Sequence, residues 1–381
     1  MTRARLLVVA GESSGDQRAA RLVTALGERV PGIEIFGLGS EELAATGADL
    51  VADSREISVV GIAEAIEILP RASEIFRSLV REAERRRPAV AVLVDFPDFN
   101  LRLARELAWL GIPVVYYVSP QIWAWRRGRV RTVADCVDRM LVLFPFEVPF
   151  YRAHGVRVVH VGHPLVDEVP QLEQAWQGMP PGAEPEVHRL ALLPGSRRSE
   201  VAALLPAMLG AAQRIAGRLP VEVRVIRAPG LDDAPFRDAL ARTGLAADLV
   251  TSDRYSAVAG SHLALCASGT ATLETGLLGT PMIVCYRLSP WTYWPARALV
   301  RVPHVALVNL VLGKRAVPEL IQGAATPERI ADEALRLLAS RREIRRMRVD
   351  LGELRERLGA PGATRRAAAE VARYFGVETA A

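Results

Sequence analysis

Two carboxylates and an amide fall within six residues at Val94-Asp95-Phe96-Pro97-Asp98-Phe99-Asn100, just past an apolar run. The flanking Phe and Pro side chains lower the local polarity. That favours a neutral carboxyl group and raises its pKa toward the range of a working base. A base is what a sugar hydroxyl needs before it attacks an anomeric carbon. Asp98 also suits a helix N-cap, so Asp95 is the better candidate base and Asp98 the alternative; Asn100 completes the cluster.

A second chemistry is written further along. Leu263 to Ala267 is a short apolar run that reads as a buried strand, and Ser268-Gly269-Thr270 follows it, with Glu274 one turn on. Small residues there admit close backbone approach, and the hydroxyls can cap a helix. A helix starting at that turn aims unbonded N–H groups past the strand end, where a phosphate or diphosphate binds. An ordinary capped helix would carry the same residues. Leu193-Pro194-Gly195-Ser196-Arg197 repeats the pattern, with Glu200 three residues on. Gly195 and Ser196 shape a helix start, and Arg197 would hold a diphosphate and stabilise it as it leaves.

Three further loops suit the lining of a site. Ala10-Gly11-Glu12-Ser13-Ser14-Gly15-Asp16 has two glycines for close approach, and Ser14 or Asp16 can cap the following helix. Ser119-Pro120 ends a strand, and Trp123 and Trp125 follow. They suit a sugar or acyl site, or a packed corner between domains. His163, in Gly162-His163-Pro164, is placed to donate to a ligand or to pack in a hinge.

These loops need elements to hold them. Apolar runs predict strands at Arg5–Ala10, Ile33–Leu38, Val90–Val94, Val114–Val118, Arg139–Phe144 and Val156–Val161. The series resumes at Arg189–Leu193, Val221–Ile226, Asp248–Thr251, Leu263–Ala267, Met282–Tyr286 and near Leu307. Amphipathic helical patterns fill most of the spaces, which predicts parallel sheets with helices on both faces. Residues 169–188 are rich in Pro and Gly and read as a linker or a long edge excursion. The domain expectation is 1–168, then 187–345, then C-terminal helices over 346–381 that are able to pack back on the first domain. Two stretches mix apolar and basic residues. Val59 to Val80 has Ile62, Ile66, Leu69, Phe76 and Leu79 at helical spacing around Pro70, and Pro290 to Arg301 sets Trp291, Tyr293 and Trp294 beside arginines. Aromatics beside Arg suit a membrane interface.

Composition narrows the classes. With 381 residues, half of them hydrophobic and 24% charged, the chain is globular. A net charge of +5 suits anionic partners. Lys314 is the only lysine, so the arginine excess is compositional. Three scattered cysteines argue against a disulfide framework or a zinc site. No stretch reaches the roughly 18 apolar residues that span a bilayer, and the N-terminus does not read as a signal peptide. There is no G-x-G-x-x-G, no P-loop and no D-x-D. The expectation is a cytoplasmic protein, soluble or lying on a membrane surface.

Taken together and in order, AGESSGD, VDFPDFN, YVSPQIWAW, FPFE (Phe144 to Glu147), VGHP, LPGSR, ASGTATLE and CYR (Cys285 to Arg287) resemble the lipid-A-disaccharide synthases, from residue 10 to about 322. The resemblance implies an α/β protein of GT-B fold, two doubly wound Rossmann-like parallel-sheet domains facing across a cleft. It implies a peripheral enzyme on the cytoplasmic face of the inner membrane, whose surface is anionic. That enzyme joins UDP-2,3-diacylglucosamine to 2,3-diacylglucosamine 1-phosphate and releases UDP, with no cofactor, metal or nucleic acid; a homodimer stays open. By position, Asp95 matches the family's base and Arg197 its donor-site arginine. Gly195, Ser196, Ser268, Gly269, Thr270, Glu274, Arg287 and Asn309 fall on the UDP side. Gly11, Ser14, Asp16, Asp98, Asn100, Ser119, Trp123 and His163 fall on the acceptor side. Val308 replaces a usual Pro, Val60 a common Met and Ser40 a frequent second Gly. Two other readings share the architecture. A UDP-N-acetylglucosamine 2-epimerase would need no lipid acceptor, and a non-catalytic sugar-nucleotide binder would release no UDP.

Overall fold

Runs of apolar residues too short for helices become strands buried on both faces. The structure, a computed structural model, describes residues 4–57, 62–124, 127–177, 185–287 and 303–377. The chain divides into two units, Met1–Pro164 with Gly359–Ala381, and Leu165–Leu358.

In the first unit the strands are β1 (Arg5–Ala10), β2 (Glu34–Gly39), β3 (Asp49–Asp53), β4 (Val90–Val94), β5 (Val114–Tyr117), β6 (Arg139–Val142) and β7 (Val158–His160). They form one seven-stranded sheet in the order β3-β2-β1-β4-β5-β6-β7, and every pairing is parallel. Side chains alternate between two cores. Leu7, Val9, Ala91 and Leu93 point to a face covered by the helices Ile62–Arg86 and Pro97–Trp109. Leu6, Val8, Val90, Val92 and Val94 point to the other. That second face is covered by the helix Ser13–Gly27 through Ala19, Leu22 and Leu26, and by the helix Ala363–Ala372 through Ala367, Ala368 and Val371. The chain therefore returns to complete the core of its first unit. Arg366 fixes the return by donating to the Val161 carbonyl at 2.8 Å.

The second unit contains β8 (His188–Leu193), β9 (Val221–Ile226), β10 (Ala247–Val250), β11 (Leu263–Ala267), β12 (Met282–Tyr286) and β13 (Glu319–Ile321). Their order is β10-β9-β8-β11-β12-β13, again parallel throughout.

Four expectations need correction. The residues near Leu307 form a helix, Leu307–Leu312, and the strand that closes the sheet is β13. The helix starts there because Glu319 accepts from the backbone N–H groups of Val305 and Ala306 at 3.1 Å each. β3 was not foreseen; its polar ends and half-exposed middle are those of an edge strand. Residues 169–177 are irregular but anchored, since Trp176 is buried and its indole donates to the His262 carbonyl at 2.8 Å. Leu69, assigned to an apolar stripe, is 60% exposed, whereas Leu79 is fully buried. The aromatic stretch Pro290 to Arg301 lies outside the described residues.

The returning helix yields a test. Val371 is fully buried on the face shared with Leu22 and Leu26. Val371→Asp puts an unpaired carboxylate there and should cost more than about 3 kcal/mol. A urea unfolding midpoint unchanged from wild type would contradict this packing.

Candidate functional site

In an open parallel sheet the loops beyond the carboxyl ends of two neighbouring strands diverge where the strand order reverses, and ligands bind in that crevice. In the first unit the reversal lies between β1 and β4. The loop after β1 holds Gly11 and the loop after β4 holds Asp95. The two loops touch, because a Cβ on Gly11 would lie 2.2 Å from the Phe96 ring. Only glycine lets that ring close over the first loop.

The β4 turn is strained and clamped. Asp95 and Phe96 have φ of 48° and 49°, successive left-handed residues without a glycine. Such a conformation costs about 1–2 kcal/mol per residue. Three bonds hold it: the Asp95 N–H donates to the Tyr117 carbonyl at 3.0 Å, and the Asp95 carbonyl accepts from the Asn100 amide at 2.8 Å and the Tyr116 hydroxyl at 2.5 Å. Asn100 is fully buried and also donates to the Val94 carbonyl at 3.2 Å. Asn100 thus shapes the turn, while Asp95 stays half-buried at its tip.

Asp98 is not the N-cap. Phe96 occupies that position, Pro97 opens the helix, and Asp98 sits in the first turn, largely exposed and ion-paired to Arg129. Neither Ser14 nor Asp16 caps its own helix, which starts at Ser13 after Glu12 without a side-chain cap. Ser14 is exposed in the first turn. Asp16 is 1% exposed, and its carboxylate accepts from the Ser40 N–H and hydroxyl at 2.7 Å each and from the Glu42 N–H at 3.0 Å. It caps the next short helix, Glu41–Ala45, and binds the first turn of the helix Ser13–Gly27 to the loop after β2.

The loops after β5 and β6 meet on Glu147, which the sequence named only as the end of FPFE and gave no role. Glu147 is 2% exposed. It accepts from the Ser119 hydroxyl, from the Trp123 indole at 3.1 Å and from the Phe144 N–H at 3.0 Å. Burial pushes its carboxyl up to about 7, against the pull of those donors. Its sequence signal was an acid directly after Phe144-Pro145-Phe146, the last residue of FPFE. Trp123 is buried edge-on against Phe146, with ring centroids 4.8 Å apart. Trp125 lies outside the described residues. His163 is 3% exposed and packs on Phe144. Burial and the neighbouring Arg18 bring its pKa down to about 3, so its ring is neutral.

In the second unit the strand order reverses between β8 and β11. The loop after β8 carries Gly195, Ser196 and Arg197, and the loop after β11 carries Ser268, Gly269 and Thr270. The two helix starts differ. Glu200 folds back on the first and accepts from the Ser196 and Arg197 N–H groups at 3.0 and 3.3 Å. Gly195, at φ 124°, makes room, since a Cβ there would lie 2.6 Å from the Glu200 side chain. The Arg197 side chain is 74% exposed and only loosely paired with Glu200, at 3.8 Å. The second start, the helix Thr270–Leu277, has no side-chain cap. The Ser268 hydroxyl donates to the Val305 carbonyl at 3.3 Å instead of capping, and Thr270 is exposed.

Glu274 is mostly buried, which raises its pKa. Its Oε1 accepts from the Arg254 guanidinium at 3.1 Å and the Tyr255 hydroxyl at 3.2 Å. Arg254 and Tyr255 were not foreseen, because only folding brings the helix Arg254–Ala259 beside Glu274. Arg287 stands half-buried one residue past β12. Asn309 is fully buried and makes four bonds inside the chain. It donates to Val317 O and Glu319 Oε1, and accepts from the Ala316 and Val317 N–H groups. It holds the loop that Ser268 touches and presents no group beyond it.

The comparisons agree with this geometry. A family model described as lipid-A-disaccharide synthetase matches residues 6–373. The lipid-A-disaccharide synthase of Myxococcus xanthus (strain DK1622) is 48% identical over 369 residues, 96% of each chain. Among solved structures, Acinetobacter baumannii MurG has a TM-score of 0.62 at 12% identity, covering 97% of this chain and 99% of its own. S. aureus MnaA, in a UDP co-structure, has a TM-score of 0.65 at 12% identity, covering 99% of this chain and 98% of its own. At that identity these structures show the fold alone, the two-domain GT-B architecture.

Asp16 separates holding from binding. Asp16→Ala strands the backbone N–H groups of Ser40, Glu42 and Leu43 and the Ser40 hydroxyl, and should cost about 3 kcal/mol of stability. Asp16→Asn, which keeps one acceptor oxygen, should cost less. Equal unfolding midpoints for Asp16→Ala and wild type would remove Asp16 from its capping role.

Proposed function

The chain belongs to the lipid-A-disaccharide synthetase family and is a glycosyltransferase of lipid A biosynthesis; from that premise we propose that it transfers 2,3-diacylglucosamine from UDP to the 6-hydroxyl of 2,3-diacylglucosamine 1-phosphate, with inversion at the anomeric carbon. The observation that carries this reading is the Asp95 turn, a carboxylate on a strained, clamped tip at the switch point of the first sheet. Strain of this kind gathers at functional sites.

In this mechanism Asp95 takes the proton of the acceptor hydroxyl. The oxygen forms a bond to the anomeric carbon from the face opposite UDP. The bond from that carbon to the diphosphate oxygen breaks, and its electron pair leaves with UDP. Positive charge builds on the sugar and negative charge on the diphosphate. The uncapped start of the helix Thr270–Leu277 and the exposed Arg197 supply donors for the latter. Glu274, set by Arg254 and Tyr255, belongs to the UDP site, with Arg287 beside it. Asn309 acts on that site only through the loop it holds. Because both substrates carry acyl chains, the protein works peripherally at the anionic cytoplasmic face of the inner membrane. No helix among the described residues is long and apolar enough to cross a membrane.

Incubation with UDP-2,3-diacylglucosamine and 2,3-diacylglucosamine 1-phosphate should give the disaccharide phosphate and UDP in equal amounts. Epimerisation of plain UDP-N-acetylglucosamine without disaccharide would overturn the assignment. Asp95→Asn is the sharper variant than Asp95→Ala, because Asn tolerates a left-handed backbone. It should lower kcat by about 10² or more while leaving UDP affinity within twofold. Arg197→Ala should raise the barrier by about 3 kcal/mol, again near 10² in rate. Near-full turnover by Asp95→Asn would remove Asp95 as the base.

A further inference from the structure

Glu147 has no part in the mechanism above, yet it is a carboxylate buried between two of the acceptor-side loops. We propose that Glu147 is a positioning residue of the acceptor site, whose carboxyl group fixes Ser119 and Trp123 and joins the loop after β5 to the loop after β6. The proposal rests on the reading that the first unit binds the acceptor.

Four observations carry it. First, no cation pairs with Glu147 among the described residues; uncharged donors alone hold it, from Ser119, Trp123 and Phe144. A buried carboxyl group is a costly way to pin a loop. Second, the loop it pins starts under strain. Val118, β-branched, sits at φ 65°, and its N–H is tied to the Leu141 carbonyl at 3.1 Å. That is an outlier for such a side chain. Third, the pinned residues leave the same sheet edge as the base. β5 neighbours β4 with Val94 beside Tyr117, so Ser119 and Asp95 emerge on adjacent parallel strands. Fourth, the helix Glu147–Arg152 is tied to the turn after β5, and β5 is tied to the Asp95 turn. The helix's Tyr151 hydroxyl donates to the Pro120 carbonyl at 3.3 Å, and Tyr116 on β5 donates to Asp95.

The chemistry of the pair has two states. With Glu147 ionised, the Ser119 hydroxyl donates to it and keeps its lone pairs for a substrate hydroxyl. With Glu147 protonated, the carboxyl group donates to Ser119 and the hydroxyl hydrogen turns elsewhere. Burial brings Glu147 up to about 7. Among the described residues, the titratable groups facing it are Tyr151, on its own helix, and His163, beyond Phe144. Burial raises the first and lowers the second to about 3. Both are neutral between about pH 5 and 9, so the charge change in this cluster belongs to Glu147. Acceptor use should therefore rise with pH through neutrality.

The test uses the full chain with Glu147→Gln and Glu147→Asp. In Glu147→Gln the KM for the acceptor should rise tenfold or more, while donor KM and UDP affinity stay within twofold. The rise in rate between pH 6 and 8 should flatten. Glu147→Asp should recover part of both. A separate readout needs no activity. Wild-type tryptophan emission should titrate near pH 7, and that step should be missing from both Glu147→Gln and Trp123→Phe. An unchanged acceptor KM in Glu147→Gln, or an emission step that survives in it, overturns the proposal. Should Glu147→Gln fail to fold, Ser119→Ala probes the same bond from its other end, and an unchanged acceptor KM there is equally fatal. Should wild type make no disaccharide, the proposed function fails by itself, and the emission titration alone then decides whether Glu147 governs Trp123.

Discussion

Parallel pairing is the constraint from which the rest follows. Every strand pair in both sheets runs the same way. All carboxyl ends in a sheet therefore open at one edge, and both faces must be covered by crossover helices. The strand interiors are apolar on both faces, as the alternation of Leu6, Leu7, Val8 and Val9 between two cores illustrates. Polar chemistry has only the loop edge left to it. Each strand order reverses once, between β1 and β4 and between β8 and β11. Those two places collect Gly11 with Asp95, and Arg197 with Ser268 to Thr270.

Loops at such an edge carry backbone groups that no strand satisfies, and each must find a partner. This chain answers with buried side chains. Asp16 serves the backbone around Ser40, Asn100 the carbonyls of Val94 and Asp95, Glu147 the loops after β5 and β6, and Asn309 with Glu319 the start of the helix Leu307–Leu312. The consequence is a division of labour. Residues that shape the loops turn polar groups onto the backbone within the chain, whereas Asp95, Arg197 and Thr270 stand at the tips. Loop shape set by internal bonds does not wait for a ligand, which is the condition for electrostatic stabilisation to cost little at the moment of reaction.

That division also decides what the sequence could convey. β1, β4, β9, β11 and β12 were legible to the residue, because an apolar run bounded by turn residues has one explanation. Residue type and loop location were legible for the site as well. Direction was not. Asp16 has the same carboxylate as Asp95 and stands near the same sheet edge, and Asn309 is as polar as either, yet the side chains of Asp16 and Asn309 turn inward. The helix caps were misassigned for the same reason, since Ser14, Asp98 and Ser268 have capping chemistry but sit one or more positions from the cap. Near Leu307 an apolar run suited strand or helix equally, and the arbiter was Glu319, more than ten residues away. Glu147 was hidden because an acid after an aromatic pair signals nothing about burial, and the Arg254–Glu274 contact because it joins separate helices.

The second unit shows why a shared fold leaves the reaction open. Its switch point offers two helix starts, and a helix start attracts an anion wherever its N–H groups are unclaimed. Glu200 claims one of them with its own carboxylate, so the chain has already supplied the anion there. The start at Gly269–Thr270 has no such occupant among its side chains. One fold thus carries a filled site and an open one, and the difference is a single side chain three residues into a helix. Glu200 engages mainly the backbone of Arg197 and leaves its guanidinium exposed. The GT-B likeness at 12% identity fixes where such loops stand. Which of them receives a diphosphate, and which turn carries the base, is decided by residues that the fold does not dictate.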